Sequence, residues 1–400
     1  MVYLHVPFCR SFCTYCDFYS EIACRGRDAQ LFEAYTDAVC AEASRRRDEI
    51  EATRDLDTLY IGGGTPSVLP LPLLRQMAAH ILTGGVPPEL VEFTIEVNPE
   101  DIVERGPEYI RGLLGLGVNR VSMGVQSLDD GILHWMNRRH DAAHARQAFR
   151  ILRGAGVDNV SVDLIFGLSQ LSLQTLDATV SEILEWRPEH ISAYQLSIEE
   201  GSALGEMVRH GRYIEAPQEQ CAAQYALLCE RLRAAGYVHY EISNWALPGR
   251  EAVHNSAYWA RHPYVGLGPG AHSFDGTTRS WNNSILPPQQ AATAPGNRAT
   301  HGIVRGGTAS EAQRWGRAQR DVSGGSWPLR GGYETLSAAE AREEEIFLGL
   351  RTARGIPEGL CDPEKAAAAL ADGRLVRTGD RLRIPEDRWF VSDDILTDLI

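Results

Sequence analysis

The chain has 400 residues, 44% hydrophobic and 23% charged, which suits one large or two ordinary globular domains and excludes disordered or collagen-like architectures. Lys+Arg 39 against Asp+Glu 53 leave a formal charge of −14, opposing the attraction to phosphate backbones on which nonspecific nucleic-acid binding depends. No apolar run reaches the roughly 18 residues of a membrane span, and Met1–His5 lacks the pattern of an export signal. No nucleic-acid partner, no transmembrane segment and a cytoplasmic location are therefore expected.

From Val2 to about Leu204 short β-branched runs alternate with helix-period segments bounded by Gly or Pro, the pattern of parallel βα units. The strands are predicted at Tyr3–Val6, Thr58–Ile61, Phe93–Val97, Arg120–Val125, Ser161–Phe166 and His190–Leu196. Between them, Leu31, Tyr35, Ala38 and Val39 share a helix face, as do Leu176, Val180, Ile183 and Leu184 behind an N-cap at Ser172. Six such units rather than eight predict an α/β fold with an open or partial (β/α)6 barrel, whose ligands gather at the carboxyl ends of the strands.

A helix over Gln218–Ala235 follows, then polar-aromatic stretches at Tyr240–Trp245 and His254–Trp259 and a glycine-rich run from Gly266 to His272. The core with these stretches is expected to span 1–285. Residues 286–334 carry no sustained period and read as an irregular linker or insertion. From 335 to 400 a helix through Glu343–Leu350, another at Pro363–Leu370 and a hairpin over Arg374–Ile384 predict a small α+β, winged-helix-like domain.

Of eight cysteines, Cys9, Cys13 and Cys16 form a CxxxCxxC triplet just after the first strand, and the others scatter. Three thiolates on one loop suit three irons of a 4Fe-4S cluster, leaving the fourth iron for a nonprotein ligand. The alternative is zinc, with His5 as the tempting fourth ligand. Gly62, Gly63 and Gly64, followed by Thr65 and Pro66, let backbone approach a ligand, although such a run is also an ordinary βα turn. Glu96, Gln126 and Asp163 emerge from the ends of apolar strands and converge on one rim as a small-molecule site.

The run Tyr3–Cys16 with Asp17 and Phe18, IGGGTPS at Ile61–Ser67, IEVNPE at Ile95–Glu100, SMGVQS at Ser122–Ser127 and DLIFGL at Asp163–Leu168 carry a family resemblance. They resemble radical S-adenosylmethionine proteins of the oxygen-independent coproporphyrinogen III oxidase family. YEISNWA at Tyr240–Ala246, HNSAYW at His254–Trp259 and GLGPGAHSF at Gly266–Phe274 resemble that family's heme-chaperone branch. The resemblance implies a 4Fe-4S cluster on Cys9, Cys13 and Cys16, with S-adenosylmethionine chelating the open iron. It implies cofactor contacts from Gly63, Gly64 and Thr65, from Tyr3 and Tyr15, and from Glu96, Gln126, Arg138 and Asp163. It also implies heme at His254, with Tyr258 and Trp259 offering apolar faces; the alternative is that His254 bonds a turn and Trp259 is core. His272 is a second candidate. The partners implied are heme-accepting proteins, and an electron donor if radical chemistry occurs. The family's oxidases carry a further cysteine two residues after the third, where this chain has Phe18, and an extension before the first strand, where two residues precede Tyr3. Both differences favour the chaperone branch over porphyrinogen decarboxylation, which stays the alternative.

Overall fold

A computed structural model describes residues 1–23, 28–83, 90–284 and 330–400. Cys24 and residues 286–329 of the expected linker lie outside the described residues.

The six predicted strands are β1 (Val2–Val6), β2 (Thr58–Gly63), β3 (Glu92–Val97), β4 (Arg120–Gln126), β5 (Val160–Phe166) and β6 (His190–Gln195). They lie in chain order, each parallel to the next. Helices α1 (Asp28–Arg45), α2 (Leu71–Ile81), α3 (Pro99–Leu114), α4 (Ala142–Ala155) and α5 (Leu173–Trp186) form the crossovers, and α6 (Gln218–Ala234) follows β6. Their ends obey local chemistry. Ser172 accepts from the Thr175 amide to start α5, and α4 stops at Gly156, where φ is 99°.

Three further strands, β7 (Val238–Glu241), β8 (Asn244–Ala246) and β9 (Val265–Leu267), extend this sheet to the order β9-β1-β2-β3-β4-β5-β6-β8-β7. Here β9 joins β1 in parallel, while β8 and β7 run antiparallel beside β6. The ends remain edges, so the barrel is partial.

Alternation along β4 divides lumen from shell: Val121, Met123 and Val125 are buried in the apolar core, while Arg120, Ser122, Gly124 and Gln126 face a central cavity. At the amino ends of the strands a short helix, α7 (Val253–Trp259), forms a floor. Glu92, the first residue of β3, accepts from the Val253 and His254 amides at 2.8 and 3.3 Å and so anchors the start of α7.

A second antiparallel sheet joins β10 (His272–Phe274), β11 (Thr278–Asn282) and β12 (Arg330–Thr335). The expectation of irregular chain through 334 is corrected at its end. Residues 330–335 pair along β11, a partner the local sequence does not reveal. The C-terminal part comprises α8 (Ala338–Leu350), begun by a Ser337/Glu340 capping box, then β13 (Ile356–Pro357), α9 (Pro363–Ala371), the predicted hairpin β14 (Val376–Thr378) and β15 (Arg381–Arg383), and α10 (Ser392–Leu399). Among the described residues no helix is long and apolar enough to cross a membrane.

Candidate functional site

The three clustered cysteines sit on a loop pinned at several points. Phe8–Cys9 pairs in parallel with Glu21–Ile22, closing the loop's base. The Thr65 amide donates to the Phe8 carbonyl at 2.7 Å, and the Thr14 amide donates to the Met136 carbonyl at 3.0 Å. Cys9, Cys13 and Cys16 are all free thiols of intermediate exposure. Burial pushes the Cys9 thiol up and that of Cys16 up to about 12, with the neighbouring cysteines adding to both.

Two of these sulfurs have donors. The Thr65 hydroxyl lies 3.5 Å from Cys9 Sγ, and Arg138 Nη1 lies 3.5 Å from Cys13 Sγ. Asn98 joins them: its Nδ2 donates to Thr65 Oγ1 at 3.1 Å, and its Oδ1 accepts from Arg138 Nη2 at 2.8 Å. Because Thr65 Oγ1 accepts from Asn98, its own proton is left for Cys9. Burial alone would weaken the charge on Arg138, but Tyr15, Cys13 and Glu100 more than offset this and hold it protonated. Asn98 lies inside the IEVNPE run, yet nothing in that run marks its asparagine as a bridge.

Below the loop a cavity of about 420 Å³ is lined by all three cysteines and by Tyr15, Gly63, Gly64, Thr65, Glu96, Gln126, Arg138 and Asp163. The structure therefore brings together every expected cofactor-contacting residue except Tyr3. The Tyr3 hydroxyl bonds His5 Nδ1 at 3.0 Å, and its ring lies behind Tyr60, which itself lines the cavity. His5 also directs Nε2 to the Tyr19 carbonyl at 2.9 Å. With both ring nitrogens engaged, His5 does not serve as the fourth zinc ligand.

The glycine run approaches protein as closely as it approaches the cavity. A Cβ at Gly63, whose φ is 110°, would fall 2.6 Å from the His5 ring, and one at Gly64 would fall 2.8 Å from the Phe8 carbonyl. Gln126 ends β4 at φ 66°, uncommon for a non-glycine residue, beside a register shift that turns its side chain into the cavity. Asp163 is mid-strand rather than at a strand end, and it accepts from Ser122 Oγ at 3.1 Å. Glu96 accepts from the Tyr60 hydroxyl at 2.7 Å and the Gly63 amide at 3.0 Å. Burial raises both carboxyls, and with Asp163 nearby Glu96 reaches about 7.

The histidine of HNSAYW lies on the floor instead. His254 is fully buried; its Nδ1 is 2.8 Å from Thr58 Oγ1 and its Nε2 is 3.1 Å from the Tyr258 hydroxyl. Burial lowers its pKa to about 3, so the ring is neutral. Neither nitrogen is free for iron, which argues against the heme-ligand role expected for it. Tyr258 is turned toward His254 and Tyr264, and Trp259 toward Arg351, rather than jointly toward an open pocket. Of this motif only Asn255 lines the cavity. His272 has an exposed ring stacked 5.9 Å from that of Trp281.

Comparison with known proteins places this geometry. The Radical SAM superfamily model matches residues 3–183. The heme chaperone HemW of Mycobacterium tuberculosis is 33% identical over 100% of this chain and 94% of its own length. The chain belongs to the HemW family of radical S-adenosylmethionine proteins. HemW of Bacillus subtilis is 32% identical over 88% of the chain and 84% of its own length, and HemW of Escherichia coli is 29% identical over 96% and 94%. The solved coproporphyrinogen III oxidase HemN of Escherichia coli has the same fold, with a TM-score of 0.73 at 17% identity over 99% of this chain and 89% of that one.

Membership of the HemW family implies a 4Fe-4S cluster and S-adenosylmethionine, and the residues present fit both. Three free thiols share one loop, the donor set for a cluster with one open iron. Around them the cavity offers carboxylates, hydroxyls and the Arg138 side chain.

Proposed function

We propose that the chain is a heme chaperone that holds a 4Fe-4S cluster and S-adenosylmethionine at the barrel mouth and passes heme to acceptor proteins. The observation that carries this reading is the full-length similarity to HemW heme chaperones. Phe18 supports it. In place of the oxidases' additional cysteine stands an aromatic ring that is 68% exposed and, with Phe12, lines the cavity, an apolar surface that a porphyrin face can cover.

In this reading Cys9, Cys13 and Cys16 bind three irons, while Thr65 and Arg138 direct donors at two of the sulfurs. Gly63, Gly64, Tyr15, Glu96, Gln126 and Asp163 bind S-adenosylmethionine, the two carboxyls accepting from its hydroxyl and amino groups. Tyr3 supports this site from behind Tyr60. When bound, the cluster and S-adenosylmethionine supply one-electron chemistry, which heme transfer itself does not need. His272, with its exposed ring, is the axial-ligand candidate; His254 holds the floor. Heme-accepting proteins are the partners, with an electron donor where the one-electron chemistry is used, and the site of action is cytoplasmic.

The test is an anaerobic titration of heme into cluster-reconstituted protein, alongside incubation with reductant, S-adenosylmethionine and coproporphyrinogen III. Saturable heme binding, weakened by His272→Ala and unchanged by His254→Ala, with no protoporphyrinogen formed, is the expected result. Absence of heme binding, or protoporphyrinogen at many turnovers, overturns the reading.

A further inference from the structure

Outside the barrel cavity, three metal-binding side chains converge from three elements. Cys229 comes from the later turns of α6, His239 from β7, and Glu386 from the short turn Glu386–Val391 that follows β15. None of them lines the cavity. One ligand atom of each lies within 4.8 Å of the other two. Ligands of a tetrahedral zinc ion, about 2.0–2.3 Å from it, stand about 3.2–3.8 Å apart, so small side-chain rotations bring these three onto one ion.

The imidazole is held as a ligand is held. Its ring stacks 4.0 Å from that of Trp245 and meets Trp389 edge-on at 4.3 Å, which fixes its plane. An acceptor stands on each side of it: Nδ1 is 3.0 Å from Glu386 Oε1, and Nε2 is 3.4 Å from the Ile242 carbonyl, which also accepts from the Tyr225 hydroxyl at 2.8 Å. A neutral ring carries one proton for these two acceptors, and burial disfavours the doubly protonated ring. A metal ion at Nδ1 resolves the mismatch. The ring then gives Nε2–H to the Ile242 carbonyl, the kind of backbone contact that orients metal-bound histidines, and turns the Nδ1 lone pair to the ion.

The other two groups are available. Glu386 meets His239 and Arg233 through Oε1, the latter at 2.8 Å, so its Oε2 is unbonded among the described residues. The Arg233 side chain is 62% exposed, and an exposed ion pair gives way at little cost. Cys229 is a free thiol of intermediate exposure, open to an ion arriving from solvent. Burial pushes this thiol up to about 12, so a bound metal rather than bulk base removes its proton.

We propose that Cys229, His239 and Glu386 form a zinc site, with water as fourth ligand, that ties the C-terminal part to the barrel. Thiolate, imidazole and carboxylate are the ligand types of zinc, whereas calcium and magnesium take oxygen alone. The site does not depend on the heme reading and stands if that reading fails.

The experiment uses cluster-reconstituted chain, in which iron occupies Cys9, Cys13 and Cys16, loaded with zinc under anaerobic conditions at about pH 7.5, where protons compete weakly for the ligands, and dialysed. One retained zinc per chain, a zinc–sulfur distance of about 2.3 Å by X-ray absorption and a melting temperature raised by a few degrees are expected. Zinc affinity, read by competition with a chromophoric chelator, is expected to fall about a hundredfold in Cys229→Ala and about tenfold or more in Glu386→Gln, and to be unchanged in Cys40→Ala, which removes a buried thiol elsewhere. Cys229→Ala carries the test if Glu386→Gln fails to fold. No retained zinc, zinc without a sulfur ligand, or an affinity unchanged in either folded variant overturns the proposal. Loss of iron on zinc loading also overturns it, because the zinc would then occupy the cluster loop.

Discussion

The two ends of the barrel treat buried polar groups in opposite ways. On the floor the bonding is closed: His254 uses both nitrogens, and Glu92 binds two amides and a hydroxyl. Toward the cavity it is open. Arg138 reaches Cys13 Sγ at 3.5 Å, and three free thiols share a loop. A buried polar group satisfied on every side belongs to the architecture, whereas one left unsatisfied beside a cavity points to a ligand. The difference separates two motifs of similar prominence in the sequence, the cysteine triplet and HNSAYW.

If the contrast is right, substitutions at the two ends fail differently. Replacing Cys9, Cys13 or Cys16 by Ala should abolish cluster assembly, read as loss of iron, sulfide and visible absorbance after reconstitution, with the far-ultraviolet spectrum preserved. His254→Ala should do the reverse. It removes a fully buried ring and leaves Thr58 and Tyr258 without their partner, a loss of about 2–4 kcal/mol in chemical denaturation. Iron content and heme affinity of the folded fraction should be unchanged; a stable variant with weakened heme binding would return His254 to the iron.

A buried cluster around His239 joins barrel to C-terminal part and gives a pH test. His239 stacks 4.0 Å from Trp245 and meets Trp389 edge-on at 4.3 Å, and its Nδ1 lies 3.0 Å from Glu386 Oε1. Hydrogen bonds from His239 and Arg233 hold the Glu386 carboxyl down at about 2, and burial lowers the His239 pKa below its ordinary 6.5. Both groups favour the folded state in their deprotonated forms. Stability of this junction should therefore be full above pH 6.5, decline below it as unfolded chains take up a proton at His239, and fall further from pH 4.5 toward 2 as Glu386 is protonated. Limited proteolysis between pH 7 and 4 should release the C-terminal part at the acid end, and in an acid-unfolding curve followed to pH 2 Glu386→Gln should remove the lower step.

Asn98 gives the finest distinction. Asn98→Ala should leave iron content intact but release Thr65 and Arg138 from their shared orientation, shifting the cluster's reduction potential by on the order of tens of millivolts because hydrogen bonds to the sulfurs tune it. An unchanged potential would mean that the two donors are held by other contacts, such as that of Arg138 with the Gly124 carbonyl.

Much of this was legible locally. Alternation and helix period gave six strands and their crossovers because side-chain periodicity is a property of the backbone element itself. The cysteine triplet announced its chemistry because its ligands lie within one loop. Ser172 marked a helix start, and Arg374–Ile384 a hairpin, on equally local signals. The short strands β8 and β9 and the partner of β12 were not legible, since each is stabilised by a neighbour distant in sequence, and β7 exists only as the partner of β8.

The amino-acid sequence alone settled the fold class and marked the cysteine loop and the glycine run, because each depends on residue type at short spacing. Only tertiary structure decided whether a given polar side chain is spent or available. Thr58 and His254 meet across 196 positions and Arg138 and Cys13 across 125, so the closure of the floor and the aim of the arginine existed only once the strands had been brought side by side. Tyr3 fell behind Tyr60 for the same reason, and Arg120, an ordinary strand residue by pattern, became a buried cation facing a cavity.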